Sequence, residues 1–277
     1  MKRKALPIYL LTLQSLIAAP TATDQLKEGL DEMDLSVVQS AVERGANVNQ
    51  VFGQQPWEVQ GTALMMMANS LGPWNGEVRG EGNHKDRHDR AMAISRYLLE
   101  KGARADWKDR YGWSILHAAA FERDLEMVRL LFDHGAKTGI RVSDPRGSDF
   151  NGATALLAAF GAALPHGPDR PEIVRLILEH GGKKEVDVPD YYGRTPLSMA
   201  AEQLDPESVK MLLDAGAKPN FKARGDFGRT PLEALRHGKR ICTENQPGDD
   251  HYDMHCPEDW LSRYNRVEVL LKQAGAR

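Results

Sequence analysis

The chain of 277 residues suffices for one or two ordinary domains or for a single elongated array. Its 41% hydrophobic content can bury a substantial core, which excludes wholesale disorder. A formal net charge of -3 lacks the basic excess of a typical nucleic-acid binder.

The chain opens with "MKRKALPIYLLTLQSLIAAPTA". Lys2, Arg3 and Lys4 form a positive cluster, Ala5 to Ala19 carries no charge, and small residues follow to Ala22. This order predicts a secretory signal peptide over residues 1–22. The apolar run is shorter than the roughly 20 residues of a membrane-spanning helix, and a retained anchoring helix is the alternative. Pro20 leaves the cleavage position open between Ala19 and Ala22. Without the three basic residues the balance is 33 Lys+Arg to 39 Asp+Glu, a formal charge of -6. The expectation is an exported, periplasmic and mildly acidic protein with no membrane span after signal cleavage.

Self-similarity dominates the rest. "GWSILHAAAFERDLEMVRLLFDHGAK" from Gly112 and "GRTPLSMAAEQLDPESVKMLLDAGAK" from Gly193 share one frame. Its first half recurs as "GTALMMMANS" from Gly61, "GATALLAAFG" from Gly152 and "GRTPLEALRHG" from Gly228. The second half recurs as "VVQSAVERGANVN", "ISRYLLEKGARAD", "IVRLILEHGGKK" and "VEVLLKQAGAR". Thr195 and Thr230 stand where a hydroxyl caps a helix, with Pro196 and Pro231 at the first helical position. Leu and Ala at helical spacing give the first helix (A) its buried face, and the second (B) closes on a glycine suited to a left-handed cap. With five T/S-x-L starts and six glycine endings, this pattern resembles the ankyrin repeat over nearly all of the chain after the signal segment.

The resemblance implies an all-α fold, a solenoid of stacked helix-turn-helix repeats with finger loops and long insertions between helix A and helix B. The expected organisation is a signal peptide (1–22) and an ankyrin-repeat domain (23–277). That domain divides into an N-terminal cap (23–50) and repeats at about 51–107, 108–140, 141–188, 189–221 and 222–277. The Gly of the G-A pair (Gly-Gly at Gly181) lies 21 residues after Ser114 and after Thr195. From Thr62, Thr154 and Thr230 the distance is 40, 27 and 45 residues. The extra segments are rich in Gly, Pro, Asn and Asp, are expected to be loops, and should emerge along one edge.

Family members bind partners through finger tips and the concave face of helix A. The corresponding positions here are Arg110, Tyr111 and Trp113, then Phe150, then Tyr191, Tyr192 and Arg194, then Phe227 and Arg229. Trp57 and Trp107 lie in the same fingers. Tyr, Trp and Arg are the side chains enriched at binding hot spots, although packing between fingers is a competing role for them. "LMMM" from Leu64 to Met67 reads as core, and His117 in "ILHAAA" as an inter-repeat hydrogen-bonding residue.

Catalytic motifs are absent: there is no G-x-S-x-G, P-loop or H-E-x-x-H, and no cofactor is implied. His84 and His88 have i, i+4 spacing but lie in a highly charged insertion. Cys242 and Cys256, with His251 and His255 between them, could bind zinc. However, the cysteines lack the short C-x-x-C spacing, and an exported protein meets an oxidising compartment. A Cys242–Cys256 disulfide is therefore preferred, worth about 3 kcal/mol for a loop of this size.

Exported ankyrin proteins of this size resemble immunity proteins, so the first functional expectation is a non-catalytic protein that sterically neutralises a secreted effector toxin. The second is an envelope scaffold or stress-protection accessory protein. An enzyme whose metal centre uses His84, His88, His251 and His255 is the third.

Overall fold

Short helices need caps, because their terminal N–H groups have no partner within the helix. The computed structural model, which describes residues 19–53, 61–70, 84–144, 150–161, 170–244 and 256–277, shows how this sequence supplies them. Ser114, Thr154 and Thr195 cap α5 (Ile115–Phe121), α7 (Ala155–Ala158) and α9 (Pro196–Glu202) through their hydroxyls. Asp34, Asp124 and Asp205 do the same for α2 (Leu35–Glu43), α6 (Leu125–Asp133) and α10 (Pro206–Asp214). Just before each of these aspartates, Met33, Arg123 and Leu204 adopt positive φ and reverse the chain from helix A to helix B. Helices B end on glycines such as Gly135 (φ 82°) and Gly216 (φ 96°).

The first pair is α1 (Ala22–Asp31) with α2. A capping box between Thr21 and Asp24 starts α1, so the folded unit takes in two residues of the segment read as signal peptide. Residues 1–18, with the basic cluster and most of the apolar run, lie outside the described residues. The other elements are α3 (Ala63–Ser70), α4 (His84–Glu100), α8 (Arg170–Glu179), α11 (Pro231–Glu244) and α12 (Trp260–Gln273). A two-residue hairpin, β1 (Val51–Phe52) with β2 (Gly61–Thr62), forms the base of the first finger.

Helices α1, α3, α5, α7, α9 and α11 stack in one layer. In the second layer α2 meets α4, and α6, α8, α10 and α12 follow in a row. One continuous apolar core runs between the layers, from Leu26 and Leu30 through Leu64, Met65 and Met67 to Val267 and Leu271. Val128 and Phe132 pack on the stacking face of α6. The equivalent positions of α12 hold Glu268 and Lys272, paired at 2.9 Å, so that end face is polar. The convex surface is laced by ion pairs between repeats: Arg96 with Glu126, Arg129 with Glu172 and Arg266 with Glu207.

The insertions differ from the expectation of loops. Helix B of the first inserted repeat begins at His84 and runs 17 residues against nine in α6, so His84 and His88 sit on a helix. In the last repeat α11 and α12 each run 14 residues, where α9 has seven and α10 nine. Lys85 to Arg96 and Leu232 to Cys242 contain no proline and only one glycine, so nothing in these flanks halts the neighbouring helix. The Gly- and Pro-rich centres, 71–83, 162–169 and 245–255, lie outside the described residues.

Cys242, near the end of α11, is bonded to Cys256, four residues before α12, with Cα atoms 5.5 Å apart. The bond ties the base of the longest insertion. Changing both cysteines to Ser is expected to lower stability by about 3 kcal/mol. Hydrogen exchange should show the loss confined to α11 and α12.

Candidate protein-binding surface

A finger can present side chains reproducibly only if its backbone is fixed. In this chain successive fingers are hydrogen-bonded to one another: Ser143 N–H donates to Tyr111 O, Tyr191 N–H to Asn151 O and Phe227 N–H to Tyr192 O. The close approach demands glycine at Gly193, whose φ is 81° and whose absent Cβ would stand 2.7 Å from Arg224 O. Asp109 and Asp190 lock the turns. Asp109 Oδ1 accepts from Tyr111 and Trp113 N–H, both at 2.8 Å. Asp190 accepts from Arg194 N–H at 2.8 Å and from its Nε at 2.5 Å.

The candidate residues fall into two groups. Trp113 and Phe150 face each other at 5.0 Å, and both contact Phe121 at the end of α5, at 6.2 and 5.0 Å. This cluster ties the second finger to the third, and Trp107 is half-buried against the core. Toward the other end the aromatics stand out. Tyr191 is 68% exposed and Phe227 41%, and Tyr192 lies between them, with centroids at 5.5 and 5.7 Å. Arg194 covers the Tyr192 ring at 5.3 Å, and exposed Arg110 covers Tyr111 at 4.9 Å. Arg229 is half-buried, 3.6 Å from Glu202. Trp57 lies outside the described residues.

Phe121 is a contributor that the repeat reading passed over; its one signal was an aromatic directly after the "ILHAAA" box. His117 has the inter-repeat role expected of it. Its Nδ1 is 2.7 Å from Ser114 Oγ and its Nε2 is 3.3 Å from Ala153 O in the next repeat. Burial holds the imidazole neutral and depresses its pKa to about 4.

The opposite edge contains the reversals between helices A and B. His88 Nε2 reaches Asp124 Oδ2 at 3.2 Å, so this histidine pins the extension of α4 to the cap of α6. An open cleft of about 500 Å³ lies beside it, lined by His88, Glu122, Asp124 and Arg129. Burial, and then the neighbouring Asp124, push the Glu122 carboxyl up to about 7. Among the described residues no three His, Cys, Asp or Glu side chains are grouped to hold a metal ion. His251 and His255 lie outside them. No helix among the described residues is long and apolar enough to cross a membrane.

Two mutational outcomes follow. Tyr191→Ala with Phe227→Ala should leave thermal stability nearly unchanged, because both rings project into solvent. Trp113→Ala should cost roughly 2 kcal/mol, below the 3–5 kcal/mol of a fully buried aromatic. The third outcome concerns pH. The folded pKa of His117 lies below the unfolded value of about 6.5, so its contribution is full above pH 6.5 and falls as acid protonates the unfolded chain. The stability gap between the protein and a His117→Asn variant should therefore narrow by roughly 2 kcal/mol between about pH 7.5 and 4.5, as read by denaturant titration.

A family profile described as ankyrin repeats (three copies) matches residues 84–142 and 140–223. Solved structures share the fold. The ankyrin repeat protein EF0377 has 18% identity and a TM-score of 0.57, over 91% of this chain and 98% of that one. An ankyrin repeat domain from Acinetobacter baumannii AYE has 21% identity and a TM-score of 0.58, over 91% and 98%. A chain in the complex of the predatory endopeptidase Bd0816 with the immunity protein Bd3460, from Bdellovibrio bacteriovorus, has 20% identity and a TM-score of 0.56, over 78% and 92%. No curated protein matches the chain at a significant level. Repeat spacing, two stacked helical layers and a profile match over half the length agree that the chain belongs to the ankyrin-repeat family.

Proposed function

We propose that this protein is a non-catalytic binding module of the bacterial periplasm that acts as an immunity protein, occluding a toxic, envelope-acting effector. The observation that carries the binding role is the ridge of Tyr191, Tyr192 and Phe227 on a finger edge whose backbone is locked by hydrogen bonds. Rigid aromatic side chains contribute contact area at low entropic cost, and such residues dominate interface energetics. Ankyrin repeat proteins are generally protein-interaction modules without catalysis of their own.

Three features support the immunity role in particular. A basic, apolar, small-residue N-terminus points to export. The Cys242–Cys256 bond suits an oxidising compartment. The likeness to a chain from an endopeptidase–immunity protein complex gives the fold a precedent in such an assembly. Neutralisation would be steric: the finger edge seats on the effector, and the bulk of the array blocks its active site.

The test is capture and inhibition. The chain from Ala19 onward, which keeps the Thr21 cap of α1, is incubated with the secreted hydrolases of the same organism, and effector activity is measured with and without it. One effector is expected to be bound and inhibited stoichiometrically, and Tyr191→Ala with Phe227→Ala should weaken binding at least about tenfold. Binding without inhibition, or no specific effector, would overturn the immunity role. An unchanged affinity in the double variant would move the site away from these fingers.

A further inference from the structure

The two long edges of the array carry opposite charge. Along the finger edge, residues 45–53, 101–113, 135–144, 150–153, 181–194 and 216–229 hold 13 Lys and Arg against seven Asp and Glu. Along the edge of the A–B reversals, residues 32–36, 84–90, 122–126, 170–172, 202–207, 236–244 and 256–263 hold nine against 14. A chain of net charge -3 is thus divided into a basic edge and an acidic one.

Burial sharpens the contrast. Asp144, Glu185 and Asp190 of the finger edge are buried, so they contribute little to the field outside. By contrast, Lys108, Arg110, Lys183, Lys184 and Arg224 are exposed and have no ion-pair partner among the described residues. Arg110 is stacked on Tyr111, which orders its guanidinium and leaves its donors facing solvent. Arg224 stands on the finger that carries Phe227.

We infer that the finger edge takes an acidic protein segment, with Asp or Glu side chains flanking an apolar or aromatic anchor. The anchor packs on Tyr191, Tyr192 and Phe227, and the carboxylates meet the guanidinium forks of Arg110 and Arg224. Complementary charge accelerates encounter and rejects basic partners, whereas the aromatic ridge supplies most of the affinity. Nucleic acid fits less well: Tyr191 and Tyr192 meet edge to face at 86°, and Arg194 lies over Tyr192, so no pair of parallel ring faces is open to bases. The inference rests on the reading of the finger edge as the partner-binding surface, and it adds the partner's chemistry.

The experiment uses the full chain and three rhodamine-labelled probes read by fluorescence anisotropy. The probes are an acidic peptide with a central Leu-Tyr anchor, the same peptide with Lys for every Asp and Glu, and an oligothymidylate of equal length. The acidic peptide is expected to bind and to weaken about tenfold between about 50 and 300 mM salt. It should also weaken about tenfold in Arg110→Glu with Arg224→Glu, whereas Lys27→Glu on α1, away from the fingers, should leave it unchanged. Equal binding of the Lys peptide, preference for the oligothymidylate, or no binding by any probe would each overturn the inference. So would self-association at low salt that the double reversal abolishes, since the two edges would then be partners for each other. Effector capture that survives failure of the peptide test overturns the charge assignment alone. Acidic-peptide binding without effector capture overturns the immunity role alone.

Discussion

No helix pair in this chain can bury its own apolar face, and every other property of the structure follows from the stacking that solves this. Val128 and Phe132 of α6, Val174 and Leu178 of α8, and Val209 of α10 are buried because the next repeat covers them. Where the chain supplies Glu268 and Lys272 instead, the face is left to solvent as an ion pair. In a solenoid of this kind, stability is a sum of repeat terms and nearest-neighbour interfaces. Inter-repeat contacts such as His117 with Ala153 and Trp113 with Phe150 therefore couple units that would be marginal alone.

Stacking also creates two unlike edges. The finger edge is held by backbone hydrogen bonds from one turn to the next, which fixes the positions from which Tyr191 and Phe227 project into solvent. The opposite edge consists of helix reversals capped by Asp34, Asp124 and Asp205, and its outward acidic charge comes from exposed residues such as Glu32, Asp89, Glu126 and Glu207. The inserted repeats alternate with the short ones, and the lengthened helices of the first and last rise from this second edge. His88 braces one such extension and the Cys242–Cys256 bond braces another.

The repeat frame, the caps and the glycine endings were legible because each is local chemistry repeated in register. The helical extensions were not. Segments such as "HGKRICTENQPGDDHYDMHCPED" are polar and rich in turn-formers, and composition does not show that the residues before the turn-formers continue a helix already nucleated and packed. The candidate binding residues were read as a set of finger positions, and composition could not sort them by exposure. Trp113 directly follows its finger glycine and packs against Phe121 and Phe150, whereas Tyr191, two residues before Gly193, is 68% exposed. Trp113 finds Phe121 of its own repeat and Phe150 of the next, whereas Tyr191 meets open solvent.

By itself the sequence determined that this chain stacks helix pairs, with hydroxyl caps opening first helices and glycines closing second ones. Those properties depend on capping groups, helical spacing and glycine conformations, all of which act within a few residues. Only the tertiary structure decided that basic and acidic residues separate onto opposite edges, and which aromatics stay exposed. The separation depends on distances between residues some 35 or more apart in the chain, which stacking alone brings together.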